Sequence, residues 1–472
     1  MRKKICIAGL GLLGTSLAMA LDRSRYEVNG WCRNPDTGKW VLQKEIIEKF
    51  YASPEEAMQD ADLVCICLPI PVIIDFIRQY GKYQKSGALL TDIGSVKGVI
   101  CKAAAEIPSL NFIGSHPMAG TEKSGPHAAF ATLFNNADVF IVPEADSDPA
   151  SLRFLQEFWE SIHTHVRFVP AENHDKLVAN TSHMLHIIAS ALSQSILDAP
   201  DADELRLNYA GCATGFRDTS RIASSSPAMW REICENNVPA IMAALDSFET
   251  RLSAMKESLR TGQFEDFETL FTKGRYLRDS WLCYKAAVKL PESITLCGIK
   301  HAGKSSAAGE LARILALKYY DTDDVLVEMF TAKYGEKLSV REIYIRLGEE
   351  GFRKLEAEAI RSVTVDGQPK IIALGGGALS NSFLTEDDLK KLGVIVCLDV
   401  PDSVAFERIL KNGLPPFLKD AEDPFAKFSA MNQEKRDLFR KKAHIYLTPA
   451  AFEQTPRDIA LHILSLYKEK VL

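Results

Sequence analysis

The stretch ICIAGLGLLGTSLAMAL, residues 5–21, decides the fold of the first part of the chain. A β-rich run leads into Gly9, and Gly11 and Gly14 complete the pattern Gly-x-Gly-x-x-Gly before an apolar helical stretch. In such a strand–turn–helix unit the first glycine makes the tight turn, the second lets the backbone approach a pyrophosphate, and the third allows the helix to pack on the strand. Free N–H groups at the start of the helix attract phosphate. The predicted contacts with a dinucleotide are Gly9, Gly11, Leu12, Leu13 and Gly14.

Short β-rich runs continue to alternate with helical stretches from this motif to about residue 149. The runs are continuously apolar, as is typical of parallel strands that are buried on both faces. The alternation predicts an α/β Rossmann domain with a doubly wound sheet over residues 1–149. The predicted strands lie in KKICIAG, YEVNGWC, ADLVCICLP, GALLTDIG, NFIGSHP and DVFIVP.

The pattern changes over residues 150–288, where long amphipathic stretches predict an all-helical domain. Helices of this length need a partner surface, so we expect this domain to bind substrate and to pair two copies of the chain in a homodimer. A short joint, KLPES, ends at residue 293, and the β/α alternation then restarts in SITLCG, LKYYDTD, PKIIALGG and GVIVCLDV. Residues 293–472 are therefore predicted to form a second α/β domain.

A second phosphate-binding motif opens this domain, in LCGIKHAGKSSAAGELA, residues 296–312. It matches the P-loop pattern, with two glycines separated by four residues and then Lys-Ser, placed between a strand and a helix. Backbone N–H groups of such a loop surround phosphates, the lysine reaches the β and γ phosphates, and the serine hydroxyl binds Mg²⁺. The predicted contacts with ATP are Gly298, Gly303, Lys304, Ser305 and Ser306.

The composition argues against several classes of protein. A length of 472 residues suggests about three domains. The net charge of −6, without a basic run, argues against a nucleic-acid partner. The sequence has no stretch of about 18 apolar residues that could span a membrane, and its N-terminal apolar run is too short for a secretory signal. Ten cysteines without a CxxC pair indicate reduced thiols and a cytoplasmic protein.

The end of the second predicted strand bears on the choice of dinucleotide. An acidic residue at this point usually binds the adenosine ribose, but here Cys32 occupies the expected position and Arg33 follows it. Without a carboxylate, Arg33 can attract a 2′-phosphate, and it can also stack on the adenine of NAD. The sequence predicts NAD or NADP, with a slight preference for NADP.

The motifs GLGLLGTSLA, DIGSVK, HPMAGTEKSG, HDKLVANTSHMLH and GFRDTSRIA resemble those of prephenate and arogenate dehydrogenases. The resemblance covers residues 1–285, and its most specific part is HPMAGTEKSG followed by GFRDTSRIA. It implies an oxidative decarboxylation in tyrosine biosynthesis, with prephenate or arogenate as the substrate. A hydride leaves ring C4 for the nicotinamide, CO₂ leaves C1, and the ring becomes aromatic.

The same resemblance implies roles for single residues. His116 matches the family's catalytic histidine, and an imidazole near its ordinary pKa of about 6.5 can accept the proton of the C4 hydroxyl. Ser95 is expected to hydrogen-bond the same hydroxyl or His116. Because the substrate carries two carboxylates, cations must face it. The residues expected to bind the ring substrate are His186, Arg217 and Arg221. His174 and His183 also match family histidines, but their spacing lacks the carboxylate partner of a zinc motif, so we expect no metal there.

The second α/β domain resembles shikimate kinase over residues 293–465, through the P-loop and the stretches YYDTDDVLVE, GEEGFRKLE and IIALGGGALS. The resemblance implies that ATP phosphorylates shikimate at its 3-hydroxyl. Asp323 would orient and deprotonate that hydroxyl, and Asp321 would hold Mg²⁺ together with Ser305. The residues expected to bind shikimate are Asp323, Arg353, Gly375, Gly376, Gly377 and Arg436.

One segment departs from the shikimate kinase pattern. The family has an arginine where Leu414 stands in NGLPPFLKDAEDPF, although Arg408 lies upstream and can replace it. A second substrate arginine falls at Lys435 or Arg436, and we assign Arg436. Loss of a transition-state arginine slows phosphoryl transfer by orders of magnitude. Two hypotheses follow: a bifunctional prephenate dehydrogenase and shikimate kinase, or a prephenate or arogenate dehydrogenase whose kinase-like domain only binds ligands and regulates.

Overall fold

The apolar run before Gly9 forms the central strand of a five-stranded parallel sheet with the spatial order 3-2-1-4-5. Side chains along this strand alternate between two buried clusters, with Ile5 and Ile7 on one face and Cys6 on the other. Burial on both faces explains why the predicted strands are apolar throughout. The order reverses beside β1, where ligands bind in doubly wound folds. The strands are β1 (Lys3–Ala8), β2 (Tyr26–Trp31), β3 (Lys49–Phe50), β4 (Leu63–Ile66) and β5 (Leu89–Asp92).

This computed structural model describes residues 2–121, 123–286, 292–411, 418, 421–449 and 455–471. It divides into two units, Met1–Ser253 and Ala254–Leu472. Within the described ranges, no helix is both long and apolar enough to cross a membrane. The helices of the first unit are α1 (Leu12–Ala20), α2 (Pro35–Gln43), α3 (Pro54–Asp60), α4 (Ile70–Tyr80), α5 (Gly98–Ala105), α6 (Pro149–Glu160), α7 (Ala171–Val178), α8 (Met184–Leu197), α9 (Ala202–Gly211), α10 (Thr214–Ser220), α11 (Pro227–Glu235) and α12 (Val238–Thr261), whose last turns lie in the second unit.

A separate three-stranded sheet follows the parallel sheet and corrects part of the prediction. Its strands are β6 (Gly114–Pro117), β7 (Asp138–Val142) and β8 (His165–Phe168), with β7 antiparallel to β6 and parallel to β8. The sequence predicted β6 and β7 as strands of a single doubly wound sheet, and it predicted only helices over residues 150–288. Strand β8 was missed because it is four residues long and mostly exposed, so it leaves no apolar run.

The long amphipathic stretch after β8 is not one uniform helix. Between α7 and α8, residues Ala179–His183 form a π-helical segment. Such wider turns are rare and occur frequently at functional sites. Here the segment carries His183, which is buried, and it precedes His186 on α8.

The second unit contains a five-stranded parallel sheet in the order β10-β11-β9-β12-β13. The four predicted strands are present, and a fifth, β13, was not predicted. The strands are β9 (Ile294–Cys297), β10 (Tyr319–Asp321), β11 (Ile371–Ala373), β12 (Val394–Leu398) and β13 (Ile445–Leu447). The helices are α13 (Phe264–Ala286), α14 (Lys304–Leu315), α15 (Thr322–Tyr334), α16 (Val340–Thr364, interrupted at Gly348), α17 (Glu386–Lys390), α18 (Asp402–Lys411), α19 (Pro424–Lys442) and α20 (Pro456–Val471).

Helix α13 lies in the interval that the sequence assigned to the helical domain, 150–288, but it packs within the second unit. The Asp279 carboxylate accepts a hydrogen bond from Ser465 of α20 at 2.7 Å and pairs with Lys468 of the same helix at 3.0 Å. Cys283 belongs to the same buried apolar cluster as the central strands of the second sheet. The structural division therefore falls before α13, whereas the predicted joint lies after it.

Candidate active sites

The glycine loop of the first unit has the geometry that a bound dinucleotide requires. Gly9 has φ +113°, and a Cβ there would lie 2.4 Å from the carbonyl oxygen of Cys67, so no other residue fits. A Cβ at Gly14 would lie 1.9 Å from the carbonyl oxygen of Gly9, whereas a Cβ at Gly11 would meet no described atom within 4 Å. In the first turn of α1 the buried Thr15 hydroxyl finds no hydrogen-bond partner among the described residues. The loop is therefore tight on its protein side and open where phosphate would approach.

The end of β2 carries no carboxylate at the position that would face a ribose. The Cys32 thiol is half-buried and donates to the carbonyl oxygen of Asn34 at 3.1 Å. Arg33 is exposed, and the Asn34 side chain caps α2. These contacts leave the Arg33 guanidinium available to a ligand.

His116, the predicted proton acceptor, lies on β6 and is only 8% exposed. Its Nδ1 is 2.9 Å from Nε2 of His174, and His174 Nδ1 is 2.8 Å from the Asp175 carboxylate. Burial, with the nearby charges of His174, Lys97 and His183, holds the pKa of His116 well below its ordinary value. His116 is therefore neutral at physiological pH and has a lone pair to accept a proton, but it is a weaker base than the ordinary imidazole that the sequence suggested. Ser95 is half-buried in the loop between β5 and α5.

A buried ion pair fixes the ends of β5 and β6 beside this site. Lys97 is completely buried; its ammonium pairs with Asp92 and donates to the carbonyl oxygen of Ser115 at 2.7 Å. The backbone N–H of Lys97 donates to Asp175 at 2.7 Å. The sequence reasoning assigned no role to Lys97, Asp92 or Asp175, although all three stand in the quoted motifs, because spacing does not reveal these contacts.

His183 and His186 are held by backbone and side-chain hydrogen bonds. Nδ1 of His186 donates to the carbonyl oxygen of Ser182 at 2.9 Å, and its ring stacks on Trp230 at 3.9 Å. The amide of Asn237 lies 3.2 Å from Nδ1 of His183 and donates to the backbone oxygen of Asp175 at 2.9 Å. Asn237 therefore joins the π-helical segment to α7, a role that sequence reasoning missed.

Of the two predicted substrate arginines, the structure brings Arg221 close to a predicted histidine. Burial and then the Arg221 charge lower the pKa of His186, although its hydrogen bond to Ser182 acts in the opposite direction. Arg217 is exposed on α10 and lies 3.4 Å from Asp218. A cavity of about 460 Å³ opens beside His186 and Trp230, between α8, α11 and the turn that follows Arg221.

The P-loop of the second unit has the expected conformation. Gly298 has φ +145°, and a Cβ there would lie 2.4 Å from the carbonyl oxygen of Leu398. Lys304 begins α14, and its ammonium donates to the carbonyl oxygen of Ile299 at 3.1 Å. Burial lowers the pKa of Lys304. Of the other predicted ATP contacts, Gly303 precedes α14 and both Ser305 and Ser306 are exposed in its first turn.

Two oxygen groups that suit magnesium lie side by side at this loop. The Ser305 hydroxyl donates to Oδ2 of Asp321 at 2.6 Å, and Oδ1 of the same carboxylate accepts from the Asp323 backbone N–H at 3.1 Å. Hydroxyl and carboxylate oxygens are the ligands that Mg²⁺ uses, usually together with phosphate and water. The Ser305–Asp321 pair therefore fits the predicted metal.

The Asp323 side chain has the properties of a base that works near neutral pH. Burial raises its pKa to about 6, with further increases from the charges of Asp321 and Glu356 that Lys304 and Lys300 oppose. A general base is most effective when its pKa lies near the operating pH. Asp323 is therefore mostly deprotonated above about pH 6.

The triple glycine after β11 brings Asp323 and Arg353 to one place. A Cβ at Gly375 would lie 2.5 Å from an Asp323 carboxylate oxygen, and one at Gly377 would lie 2.9 Å from the Arg353 guanidinium. Arg353 donates to the carbonyl oxygen of Gly377 at 3.1 Å and to the buried Glu356 at 2.8 Å. Side chains at these positions would fill the space between the carboxylate and the guanidinium. At Gly376 the nearest described atoms belong to Lys300.

The structure corrects the assignment of Arg436. This guanidinium is 8% exposed and is taken up by Asp399 at 2.8 Å and Asp402 at 2.8 Å. Its neighbour Lys435 is half-buried, and burial followed by the charges of Arg353 and Lys300 lowers its pKa. Adjacent helix positions point about 100° apart, so only one of the two can face the glycine loop. Because Arg436 pairs with the two aspartates, and because the charges of Arg353 and Lys300 act on Lys435, Lys435 is the better candidate for the contact with shikimate.

The predicted lid position Leu414 lies outside the described residues. Arg408, its proposed replacement, donates to the carbonyl oxygen of His301 in the P-loop at 3.0 Å. Lys300, which sequence reasoning did not single out, is exposed in the same loop beside the triple glycine. Lys300 was missed because it occupies one of the variable positions of the P-loop motif, which is defined by its glycines, lysine and serine.

Comparison with protein families gives three matches along the chain. Residues 17–168 match the family described as prephenate dehydrogenase, nucleotide-binding domain, and residues 170–273 match prephenate dehydrogenase, dimerization domain. Residues 300–468 match shikimate kinase. The three matches follow the order of the predicted domains.

Individual proteins give the same picture. The chain is 30% identical over 290 residues to a prephenate dehydrogenase of Lactococcus lactis, which spans 61% of this chain and 79% of that protein. It is 33% identical over 153 residues to a shikimate kinase of Dechloromonas aromatica, which spans 32% of this chain and 79% of that protein. The crystal structure of an Aquifex aeolicus prephenate dehydrogenase in complex with hydroxyphenyl propionate and NAD⁺ superimposes with a TM-score of 0.55 at 28% identity, covering 59% of this chain and 98% of the other.

Proposed function

The chain belongs to the prephenate dehydrogenase family over residues 17–273 and to the shikimate kinase family over residues 300–468, and from this premise we propose which residues carry the two reactions. It is a bifunctional enzyme of aromatic amino acid biosynthesis. One half oxidatively decarboxylates prephenate to 4-hydroxyphenylpyruvate, and the other uses ATP to phosphorylate the 3-hydroxyl of shikimate. The observation that carries the proposal is the geometry of the two sites: a buried histidine hydrogen-bonded to His174 beside the dinucleotide-binding sheet, and a P-loop whose Ser305 contacts Asp321 next to Asp323.

In the dehydrogenase half, His116 accepts the proton of the C4 hydroxyl, and Ser95 hydrogen-bonds the same group. A nicotinamide dinucleotide, when bound at the Gly9 loop, supplies the hydride acceptor. Arg221 and His186 lie close together and bind a substrate carboxylate, for which a guanidinium can provide two parallel hydrogen bonds. Arg217, exposed beside Asp218, is the weaker candidate for the second carboxylate.

We propose that the dinucleotide is NAD or NADP, with a slight preference for NADP. The Aquifex aeolicus relative was crystallised with NAD⁺, so the shared fold accommodates that cofactor. In this chain the exposed Arg33 and the thiol of Cys32 stand where a carboxylate would repel a 2′-phosphate. Either arogenate or prephenate fits the carboxylate-binding cations, and we propose prephenate.

In the kinase half, Lys304 and the N–H groups of the P-loop bind the phosphates, and Ser305 with Asp321 holds Mg²⁺. MgATP, when bound there, supplies the phosphoryl group. Asp323 accepts the proton of the attacking hydroxyl, which the triple glycine brings within reach. Arg353 and Lys435 bind the shikimate carboxylate. The physical basis is that phosphoryl transfer depends on positioning and charge neutralisation.

We also propose a homodimer formed through the helical region, in the cytoplasm. The family description of residues 170–273 as a dimerization domain supports this arrangement. Helix α12 carries large apolar side chains that are about half exposed, including Val238, Met242 and Leu252. Exposed apolar side chains are more stable when buried against a protein partner than in contact with water.

Paired assays on the full chain test the two activities. We expect reduction of the dinucleotide with prephenate and release of ADP with shikimate. His116→Asn should lower dehydrogenase kcat by about 10²-fold or more and spare the kinase. Lys304→Ala should abolish shikimate-dependent ADP release and spare the dehydrogenase, so each variant controls for the other.

The results also separate the regulatory alternative. If calorimetry shows that nucleotide binds but ADP release does not depend on shikimate, the kinase function is rejected and a ligand-binding module is supported. Absence of dinucleotide reduction with both prephenate and arogenate would contradict the dehydrogenase half.

A further inference from the structure

Three side chains next to β6 form a continuous hydrogen-bonded line, which we call the triad: His116, His174 and Asp175. The two hydrogen bonds measure 2.9 and 2.8 Å. His174 is completely buried and His116 nearly so. In the described part of the chain, Nε2 of His116 makes no hydrogen bond, so this atom is the free end of the triad.

The triad has only one consistent arrangement of protons. Burial alone would raise the pKa of Asp175, but hydrogen bonds from His174 and two backbone N–H groups hold that pKa below its ordinary value. The carboxylate is therefore ionised and can only accept hydrogen bonds. His174 must donate to it through Nδ1. Because burial lowers the pKa of His174, this histidine is neutral and its Nε2 carries a lone pair.

The same reasoning fixes the state of His116. Its Nδ1 lies against a nitrogen that can only accept, so Nδ1 must carry the proton. A neutral imidazole with a proton on Nδ1 has its lone pair on Nε2. The free end of the triad is therefore a proton acceptor and not a donor.

The surroundings keep the carboxylate end in place. Asp175 accepts from the backbone N–H groups of Lys97 at 2.7 Å and Gly98 at 2.8 Å, at the start of α5 where the helix dipole favours negative charge. The Phe140 ring packs against His174 with 5.9 Å between ring centroids. The nearby cation Lys97 is neutralised by Asp92, and Nδ1 of the neutral His183 faces Asn237.

We propose that Asp175 and His174 are positioning residues that hold His116 in the tautomer whose Nε2 is unprotonated, and that they stabilise the imidazolium formed during the reaction. The inference rests on the proposed dehydrogenase function. In the step concerned, the proton of the substrate hydroxyl moves to Nε2 of His116 as the C4 hydride leaves for the nicotinamide. The Nδ1 proton stays in place and its hydrogen bond to His174 strengthens, because the positive charge on His116 makes Nδ1–H a stronger donor. The Asp175 carboxylate stabilises that charge through His174.

Asp175→Asn tests the direction of the hydrogen bonds. Oδ1 of Asp175 accepts from both His174 and the Lys97 N–H, and Oδ2 accepts from the Gly98 N–H. Asparagine has no negative charge to stabilise the imidazolium. With its NH₂ group in the place of Oδ1 it keeps only the Gly98 contact, donates to His174 and reverses the donor order, which leaves Nε2 of His116 protonated. We expect dehydrogenase kcat to fall by about 10²-fold or more, as general acid–base residues contribute, with KM for prephenate changed by less than about threefold. Kinase activity of the same chain reports that the variant protein is intact.

Two substitutions of His174 form the matched control. In His174→Gln the side-chain oxygen can accept from His116 Nδ1 while the amide NH₂ turns towards Asp175, so we expect it to keep most of the activity. His174→Phe keeps the packing without any polar atom and should lose kcat as Asp175→Asn does. Equal losses in Gln and Phe variants, or wild-type kcat in Asp175→Asn, would overturn the inference.

A purely structural role for Asp175 makes a different prediction. If the residue only caps α5, Asp175→Asn and His174→Phe should lower the unfolding midpoint of the first unit and leave kcat of the folded fraction unchanged. Absence of wild-type turnover would instead reject the proposed dehydrogenase function itself, so the two failures are distinguishable.

Discussion

Replacement of Arg436 by methionine tests the corrected reading of α19 most directly. The guanidinium lies between Asp399 and Asp402, whose side chains are 15% and 13% exposed. Removing one partner of a buried ion pair costs about 3–5 kcal/mol because the remaining charge stays buried. Here Tyr446 donates to Asp399 and Asn432 to Asp402, so we expect the lower end of that range, about 3 kcal/mol.

This loss of stability is measurable as a shift in thermal unfolding. For a unit of the size of Ala254–Leu472, each 1 kcal/mol lowers Tm by about 2–4 °C. Arg436→Met should therefore lower the unfolding midpoint of the second unit by about 6–12 °C, as followed by circular dichroism. KM for shikimate should stay near the wild-type value in the folded protein.

Lys435→Met is the matched control on the neighbouring position. Its ammonium faces Arg353 and Lys300, which makes its charge unfavourable in the free enzyme, so removing it should not lower Tm. A hydrogen bond to a charged group contributes about 1.5–3 kcal/mol, so KM for shikimate should rise by about 10- to 100-fold. The reasoning is refuted if Arg436→Met keeps its midpoint and loses affinity for shikimate.

Three further predictions concern the two sites and the assembly. Because Asp323 must be deprotonated to act as a base, kcat/KM for shikimate should fall as the pH falls through about 6. Lys300→Met should move this acidic limb of the pH profile to higher pH, since Lys300 lowers the pKa of Asp323. A flat profile from about pH 5 to 7 would contradict this. NADP should be used at least comparably with NAD, and a preference for NAD above about 100-fold, near 2.7 kcal/mol, would count against a role for Arg33. Analytical ultracentrifugation at micromolar concentration should show a dimer, and a monomer would exclude pairing through residues 150–288.

Sequence patterns were sufficient for the parts of the fold that repeat a local rule. Gly9 and Gly298 each adopt a left-handed conformation beside a neighbouring strand, so the glycine motifs predicted both loops correctly. Strands such as β4, β9 and β12 were predicted because they are apolar runs that do not alternate with polar residues. Strands β3, β8 and β13 were not predicted: β3 has only two residues, β8 is mostly exposed, and β13 is separated by two residues from the end of the polar helix α19.

The side chains that support the sites could not be found in this way. Whether Lys435 or Arg436 faces the glycine loop depends on the rotation of α19, and one residue changes that direction by about 100°. The contact of Asp175 with Lys97 joins residues 78 positions apart. Such pairs leave no spacing rule in a single sequence, although each residue stood inside a motif that was already noticed.

The packing of α13 against α20 determines where this protein can be divided into fragments. The prephenate dehydrogenase match ends at residue 273, in the middle of α13, and the remainder of that helix buries Cys283 and Asp279 against the last helix of the kinase. A fragment that starts at residue 293 would expose the apolar side of α20 and leave Lys468 without Asp279. A fragment that ends before residue 293 would keep α13 but would lack α20, which packs against it. Any exchange of one half for a foreign homologue, by recombination or by design, must therefore take α13 with the kinase, although the first ten residues of this helix match the dehydrogenase family.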